Sequence, residues 1–133
     1  LYVGSPSGLS LEEDWFVRSR LLVGLGTSVA GPGDVDGDGF DDLLVGAPRA
    51  GDRDQPAEGF AHLHTGSDSG AARRAFATLE GDQPGANLGR AVCGAGDLNG
   101  DGIADYAVGA PAYDNLEQDS GRVFVHLGAP ATR

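Results

Sequence analysis

The stretch that decides the fold is Asp34-Val-Asp36-Gly-Asp38-Gly39-Phe40-Asp41-Asp42, followed at once by the apolar run Leu-Leu-Val-Gly-Ala-Pro48. Carboxylates stand at loop positions one, three, five and nine, and a glycine at position six permits a backbone turn with positive φ. This spacing wraps short acidic side chains round one hard cation and directs the main-chain carbonyl of position seven inward. Calcium takes six to eight such oxygen ligands. The stretch therefore predicts a calcium loop.

The residues after the loop distinguish it from the helical type of calcium loop. The helical type places a bidentate glutamate at position twelve. Here position twelve is Val45, and the apolar run begins directly after Asp42. Ligation is therefore expected to close at Asp42, and the loop is expected to lead into a buried strand.

The whole arrangement recurs 63 residues later, as Asp97-Leu-Asn99-Gly-Asp101-Gly102-Ile103-Ala-Asp105 followed by Tyr-Ala-Val-Gly-Ala-Pro111. The residues before each loop also match, Leu25-Gly26 with Leu88-Gly89. A period of this length indicates stacked supersecondary units, none of which can bury its own apolar face alone. Strands separated by glycine and proline turns, with helical periodicity nearly absent, predict an all-β protein.

Each unit is predicted to contain four strands. The second strand, an apolar run, is expected to be buried on both faces. The predicted strands are residues 25–33, 42–47, 59–65 and 75–80 in one unit and 88–96, 105–110 and 121–127 in the next. Residues 1–9 are predicted as the third strand of a preceding unit and its exit, and residues 14–18 as the fourth strand of that unit. The predicted organisation is the end of a unit at 1–24, a full repeat at 25–87 and an incomplete repeat at 88–133.

The amino-acid composition argues against several classes of protein. The net charge is −11 and the nine basic residues are all arginine, so a nucleic-acid partner is not expected. No apolar run approaches the roughly 18 residues of a membrane span. Glycine is 23 of 133 residues, well above the usual 7% or so, which indicates many tight turns. The single cysteine, Cys93, excludes an internal disulfide and is interpreted as a small core residue.

The two loops, the preceding Leu-Gly pairs and the following Gly-Ala-Pro triplets together resemble the FG-GAP repeats of integrin α-subunit β-propellers. The resemblance implies four-stranded antiparallel β-propeller blades with one structural Ca²⁺ in the loop between the first and second strands of each blade. It implies that Asp34, Asp36, Asp38, Phe40 (through its carbonyl) and Asp42 hold one ion. The other would be held by Asp97, Asn99, Asp101, Ile103 (through its carbonyl) and Asp105. The first site carries one more carboxylate, so we expect it to bind calcium more tightly.

The function expected from these observations is that of a non-catalytic, extracellular or cell-surface (secreted) scaffold or adhesion module with a protein or glycan ligand. The alternatives are a calcium-dependent glycan-binding module and an accessory domain of a hydrolase. Tyr113, Arg49 and Arg53 lie on polar loops, where they either contact a ligand or are merely solvated. His62 and His64 alternate on one strand and are interpreted as packing residues rather than a metal pair.

The number of blades leaves two alternatives open. The family propeller usually has seven blades, whereas this chain supplies about two. The chain is either a fragment of a longer protein or one member of a homo-oligomer in which copies join head to tail and complete each other's blades.

Overall fold

The computed structural model describes residues 4–5, 8–9, 15–18 and 22–130. Within them the regular elements are all strands, which confirms the all-β prediction. The strands are β1 Gly4–Ser5, β2 Gly8–Leu9, β3 Ser28–Gly33, β4 Asp42–Ala47, β5 Phe60–His64, β6 Ala77–Glu80, β7 Ala91–Gly96, β8 Asp105–Ala110 and β9 Arg122–His126. No helix in the described ranges has the length and apolar character needed to cross a membrane.

Strands β3 to β6 form one antiparallel sheet in the order β3-β4-β5-β6. The predicted second strand is confirmed, and five of its six residues are buried because neighbours cover both faces. The first strand begins at Ser28, later than predicted. Residues before it form turns instead, with the Thr27 amide donating to the Gly24 carbonyl at 3.0 Å.

Strands β7 to β9 repeat the first three strands of this arrangement as a three-stranded antiparallel sheet. The second strand of the unit, β8, also has the predicted bounds. In each sheet the register between the first and second strands shifts near the end of the first strand. After the shift, Gly33 pairs with Asp42 and Gly96 with Asp105. These two sheets are consistent with a complete and an incomplete propeller blade.

The core lies between the two sheets. Leu44 and Leu63 of the first sheet pack in one cluster with Tyr106 and Val108 of the second. The cluster is completed by Val35, Ala61, Leu88 and Ala110. All eight side chains are buried, so burial of apolar surface, at about 25 cal/mol per Å², joins the two repeats.

The opposite face of the second sheet is exposed. Val123 and Val125 are 67% and 54% exposed, whereas Ala61 and Leu63, at the matching positions of the first sheet, are 0% and 2% exposed. Cys93 lies on this exposed face, opposite Ala107 and Val125, and is a free thiol. The interpretation of Cys93 as a core residue is therefore wrong. Its counterpart Ala30 lies on the face that the second sheet covers, but no described residue covers Cys93.

The amino-terminal predictions are corrected where the structure describes them. Residues 1–9 were predicted as a third strand and its exit, yet the strands Gly4–Ser5 and Gly8–Leu9 pair with each other in antiparallel orientation. Residues 15–18 are not part of a strand, because the described residues offer them no neighbouring strand. They pack instead against the first sheet, around a cavity of about 270 Å³ that Val29, Leu43 and Val45 also line. The rest of the predicted fourth strand lies outside the described residues.

Candidate metal centre

The first acidic loop is held in shape by its own aspartates. Asp34 accepts hydrogen bonds from the main-chain amides of Gly37 (2.7 Å) and Asp38 (3.1 Å) at Oδ1, and from Gly39 (2.8 Å) at Oδ2. Asp38 in turn accepts one from the amide of Phe40 at 2.9 Å. Gly39 has φ of 94°, a conformation that L side chains rarely adopt. The loop therefore closes round the Asp34 carboxylate.

Asp42 ties the end of the loop to the sheet. It is 4% exposed, and its two carboxylate oxygens accept hydrogen bonds from the amides of Val35 (2.9 Å) and Gly66 (2.8 Å). Gly66 comes shortly after β5, so one side chain joins the loop to the end of the neighbouring strand. These donors fix the position of the Asp42 carboxylate.

Three carboxylates converge in this loop. Asp34, Asp36 and Asp42 each place one oxygen within 4.8 Å of the others. Burial, followed by the charge of Asp38, raises the pKa of Asp36. Burial also raises the pKa of Asp42, while its hydrogen bonds from Gly66 and Val35 act in the opposite direction. Because burial disfavours the charged forms of Asp36 and Asp42, a bound cation would stabilise the site.

The second loop reproduces these bonds. Asp97 accepts from the amides of Gly100 (2.7 Å), Asp101 (3.1 Å) and Gly102 (2.8 Å). Asp101 accepts from Ile103 at 2.9 Å. Asp105, which is fully buried, accepts from Leu98 (2.7 Å) and Gly128 (2.8 Å). The second loop thus has the same hydrogen bonds as the first, but among the described residues only Asp34, Asp36 and Asp42 of the two loops converge as a group of three. Asp38, the second loop and the carbonyls of Phe40 and Ile103 stay predictions as calcium ligands.

Asn99 is the one chemical difference between the predicted side-chain ligands of the two loops. Asp36 contributes a carboxylate to the first cluster, but Asn99 presents an amide whose Nδ2 donates to Asp101 Oδ2 at 2.8 Å. A cation in the second loop would have one fewer negative ligand. It would also compete with that hydrogen bond for the Asp101 oxygen.

The other polar residues predicted from the sequence differ in their surroundings. His64 is 1% exposed, packs edge-on against Trp15 at 5.3 Å between ring centroids, and donates from Nδ1 to the Ala72 carbonyl at 2.9 Å. The packing interpretation of His64 is supported. Tyr113 packs edge-on against Phe124 and lies under the Arg122 guanidinium, whereas Arg49 and Arg53 are exposed.

A second group of acidic side chains escaped the sequence analysis. Glu58, Glu80 and Asp82 each place one oxygen within 4.8 Å of the others, and Glu58 is 5% exposed. Burial raises the pKa of Glu58, whose carboxylate accepts a hydrogen bond from the amide of Asp82. Glu58 precedes β5, whereas Glu80 ends β6 and Asp82 follows it, and the spacing is not repeated. The pairing of Phe60 with Glu80 and the hydrogen bond from the Gly81 amide to the Gly59 carbonyl bring these segments together.

Comparison with known proteins agrees with the repeat and its loops. A family model of the FG-GAP repeat matches residues 25–71 and 88–126. The chain belongs to the FG-GAP repeat family. Integrin alpha-PS2 of Drosophila melanogaster is 40% identical over 104 residues, which cover 73% of this chain and 7% of that relative. Integrin alpha-6 of Homo sapiens is 35% identical over 96 residues, covering 72% of this chain and 8% of the relative.

One further relative is named as an enzyme. Phosphatidylinositol-glycan-specific phospholipase D of Bos taurus is 36% identical over 104 residues, covering 72% of this chain and 12% of the relative. The chain thus spans roughly a tenth of the length of these relatives. The resemblance to FG-GAP repeats of integrin α-subunits is confirmed at the level of the repeat.

The structure gives a packing reason for the glycines of the FG-GAP motifs. The amide of Gly26 donates to the carbonyl of Gly46 at 2.9 Å, and Gly89 donates to Gly109 at 3.0 Å, so each Leu-Gly pair closes on the Gly-Ala-Pro of its own unit. Between units, a Cβ on Gly46 would collide with the carbonyl of Gly89. Ser28 Oγ donates to that same carbonyl at 2.7 Å. Glycine at position 46 therefore lets the two sheets approach.

Proposed function

We propose that this chain is a calcium-binding, non-catalytic part of an FG-GAP β-propeller, with one structural Ca²⁺ in each acidic loop. The observation that carries the proposal is the convergence of Asp34, Asp36 and Asp42 within 4.8 Å. Among the described residues, no arginine or histidine forms an ion pair with this cluster, and no basic group contributes to the pKa shifts of Asp36 and Asp42. A divalent cation would supply the missing positive charge.

Calcium is favoured among divalent cations by the kind of ligand. The predicted ligands are all oxygens, which suit hard cations, and neither loop contains histidine or cysteine. An irregular loop with carboxylates and one carbonyl suits the flexible geometry of calcium better than the strict octahedron of magnesium. The ion would pin the start of the second strand to the end of the first.

The wider role that we propose is that of an extracellular scaffold or adhesion module that binds a protein ligand. This role rests on the integrin α-subunits among the relatives. Millimolar extracellular calcium would occupy sites with dissociation constants of about 10⁻⁴–10⁻³ M. The phospholipase D relative does not alter the proposal. The shared part is a small share of that protein, and the carboxylates of the two acidic loops would be taken up by the metal.

We further propose that the exposed face of the second sheet is covered by a second copy of this chain. Val123 and Val125 match the buried Ala61 and Leu63, so this face repeats one that already binds a sheet. The complementary face of the first sheet is covered in part by residues 15–17, but Val29 on that face, which matches the packed Val92, is 59% exposed. A head-to-tail contact would repeat the contact between the two sheets and close into a ring if the rotation allows.

Thermal unfolding in calcium and in chelator tests the calcium proposal. A ligand present at ten times its dissociation constant, as millimolar calcium would be for a site of about 10⁻⁴ M, stabilises the folded state by about 1.4 kcal/mol per site. We therefore expect the melting temperature to be several degrees higher in millimolar calcium than in chelator. Glu117→Gln, which removes an exposed carboxylate outside both loops, is the control and should retain the full difference. Equal melting temperatures in the two buffers would refute a structural metal.

A further inference from the structure

A cavity of about 380 Å³ lies between residues 17–18 and 22, strands β5 and β6, and the loop that joins those strands. Three of the nine basic residues of the chain line it, namely Arg18, Arg73 and Arg74. His62 and Thr78 also line it, and none of its lining residues among the described ones is acidic. In a chain with a net charge of −11, this is a local concentration of positive charge.

Two of the three guanidinium groups are oriented by an aromatic ring without being neutralised. Arg18 and Arg73 both stack on the ring of Phe16, with Cζ 4.6 Å and 5.4 Å from its centroid. Such stacking holds a guanidinium in place while its N–H donors remain available. Within the described ranges, no carboxylate pairs with Arg18, Arg73 or Arg74, and none of the three side chains donates a hydrogen bond to the protein.

The loop that carries Arg73 and Arg74 is anchored on both sides. The Ala72 amide donates to the Thr65 carbonyl and the Phe76 amide to the Leu63 carbonyl, both at 2.7 Å. His64 Nδ1 donates to the Ala72 carbonyl at 2.9 Å, which gives this buried histidine a positioning role. Two consecutive arginines are thus presented from a loop that is held by three hydrogen bonds.

The charge of the cavity comes from the arginines alone at neutral pH. Burial, together with the neighbouring His64, lowers the pKa of His62, and burial lowers the pKa of His64. Both imidazoles are therefore neutral, and that of His62, which is less buried than His64, is available for uncharged hydrogen bonds.

We propose that this cavity binds a small ligand through a tetrahedral oxyanion, a sulfate or phosphate ester. Guanidinium groups are suited to bidentate recognition of oxyanions. Three of them from two segments match the several oxygens of a tetrahedral group better than the two of a carboxylate. The cavity volume falls in the range of small-molecule sites, about 300–1,000 Å³, so it has room for the molecule that carries the ester.

Matched sugar esters provide the test. Calcium-saturated protein of the full 133 residues is titrated with glucose 6-sulfate, glucose 6-phosphate and inorganic sulfate, with glucose as the uncharged control, and amide shifts are followed by NMR. We expect both esters to bind and to shift the amides of residues 72–75, and glucose to shift none. The ester that binds more tightly shows whether the cavity prefers a sulfate or a phosphate ester. If neither ester shifts these amides at millimolar concentration, the proposal is wrong.

Arginine substitutions separate a site from general charge attraction. Arg74→Gln, which removes a guanidinium that does not stack on Phe16, should weaken ester binding by about tenfold or more, the effect of one charge-assisted hydrogen bond. Arg53→Gln removes the same charge from an exposed loop away from the cavity and should change binding less than about twofold. Equal effects of the two variants would overturn the proposal. Unchanged melting temperatures verify that both variants are folded.

Discussion

The main-chain carbonyl of Asp34 accepts a hydrogen bond from the amide of Ala104 at 2.9 Å. Asp34 opens the first acidic loop, and Ala104 precedes Asp105, the last ligand predicted for the second. A neighbouring bond runs the same way, from the amide of Ala129 to the carbonyl of Val35 at 3.1 Å. The two candidate metal loops are thus in direct contact, and order in the first loop supports the junction between the sheets.

The first prediction uses Asn99 as a natural reference for Asp36. Asp36→Asn gives the first loop the ligand set of the second, and Asn99→Asp does the reverse. We expect Asp36→Asn to weaken calcium binding at the first loop and Asn99→Asp to tighten it at the second, each by about tenfold, because ligand charge tunes calcium affinity. Isothermal titration of both variants measures this. Tighter binding in Asp36→Asn, weaker binding in Asn99→Asp, or no change in either variant would contradict the ligand assignment.

The second prediction concerns pH in the absence of calcium. Burial raises the pKa of Asp36 in the folded state, above about 3.9 for an unfolded aspartate. Between about pH 3.9 and the raised pKa, the folded state binds more protons than the unfolded state, so the free energy of unfolding falls as pH rises. In chelator, Asp36→Asn should therefore gain stability relative to the wild type as pH rises from about 4 toward neutrality.

In calcium the sign at neutral pH should reverse, because the metal then needs the ionised carboxylate. Urea unfolding at several pH values, with and without chelator, measures both differences. If the wild type is more stable than the variant at neutral pH in both buffers, Asp36 stabilises the fold without metal and the prediction is wrong.

The third prediction addresses the approach of the two sheets at Gly46. Gly46→Ala should destabilise by about 1–3 kcal/mol or more, because the added Cβ meets main-chain atoms that cannot rotate away. Gly31→Ala is the matched control in β3, since its Cβ would find only ordinary contact with the Asp42 carbonyl, at 3.9 Å. Equilibrium unfolding in urea compares the two. If the two variants lose the same free energy of unfolding, a Cβ at position 46 does not disturb the approach of the sheets, and the prediction is wrong.

The fourth prediction concerns assembly through the exposed face of the second sheet. Sedimentation equilibrium in millimolar calcium should give a discrete multiple of the 13.5 kDa chain mass. Val125→Asp should reduce it to the monomer, because the face would then carry a charge. Leu116→Asp places the same charge on a fully exposed loop residue and should leave the assembly intact. A monomeric wild type would remove the assembly proposal.

The sequence predicted the second strand of each repeat because its apolar run and flanking loop coincide with a buried central strand. It predicted the two acidic loops because both obey the same spacing. It did not predict the exposure of Cys93, since period-two alternation gives the face of a residue but not whether anything covers that face. It also missed the Glu58 group and the arginine cavity, which depend on contacts between segments distant in the chain.

Calcium titration of the wild-type chain by isothermal calorimetry tests the central claim most directly. We predict two binding events, the tighter of which is weakened about tenfold in Asp36→Asn, with dissociation constants of about 10⁻⁴–10⁻³ M or lower in the wild type. Absence of binding in millimolar calcium, or a tighter event unaffected by Asp36→Asn, would contradict the claim that the acidic loops hold structural calcium.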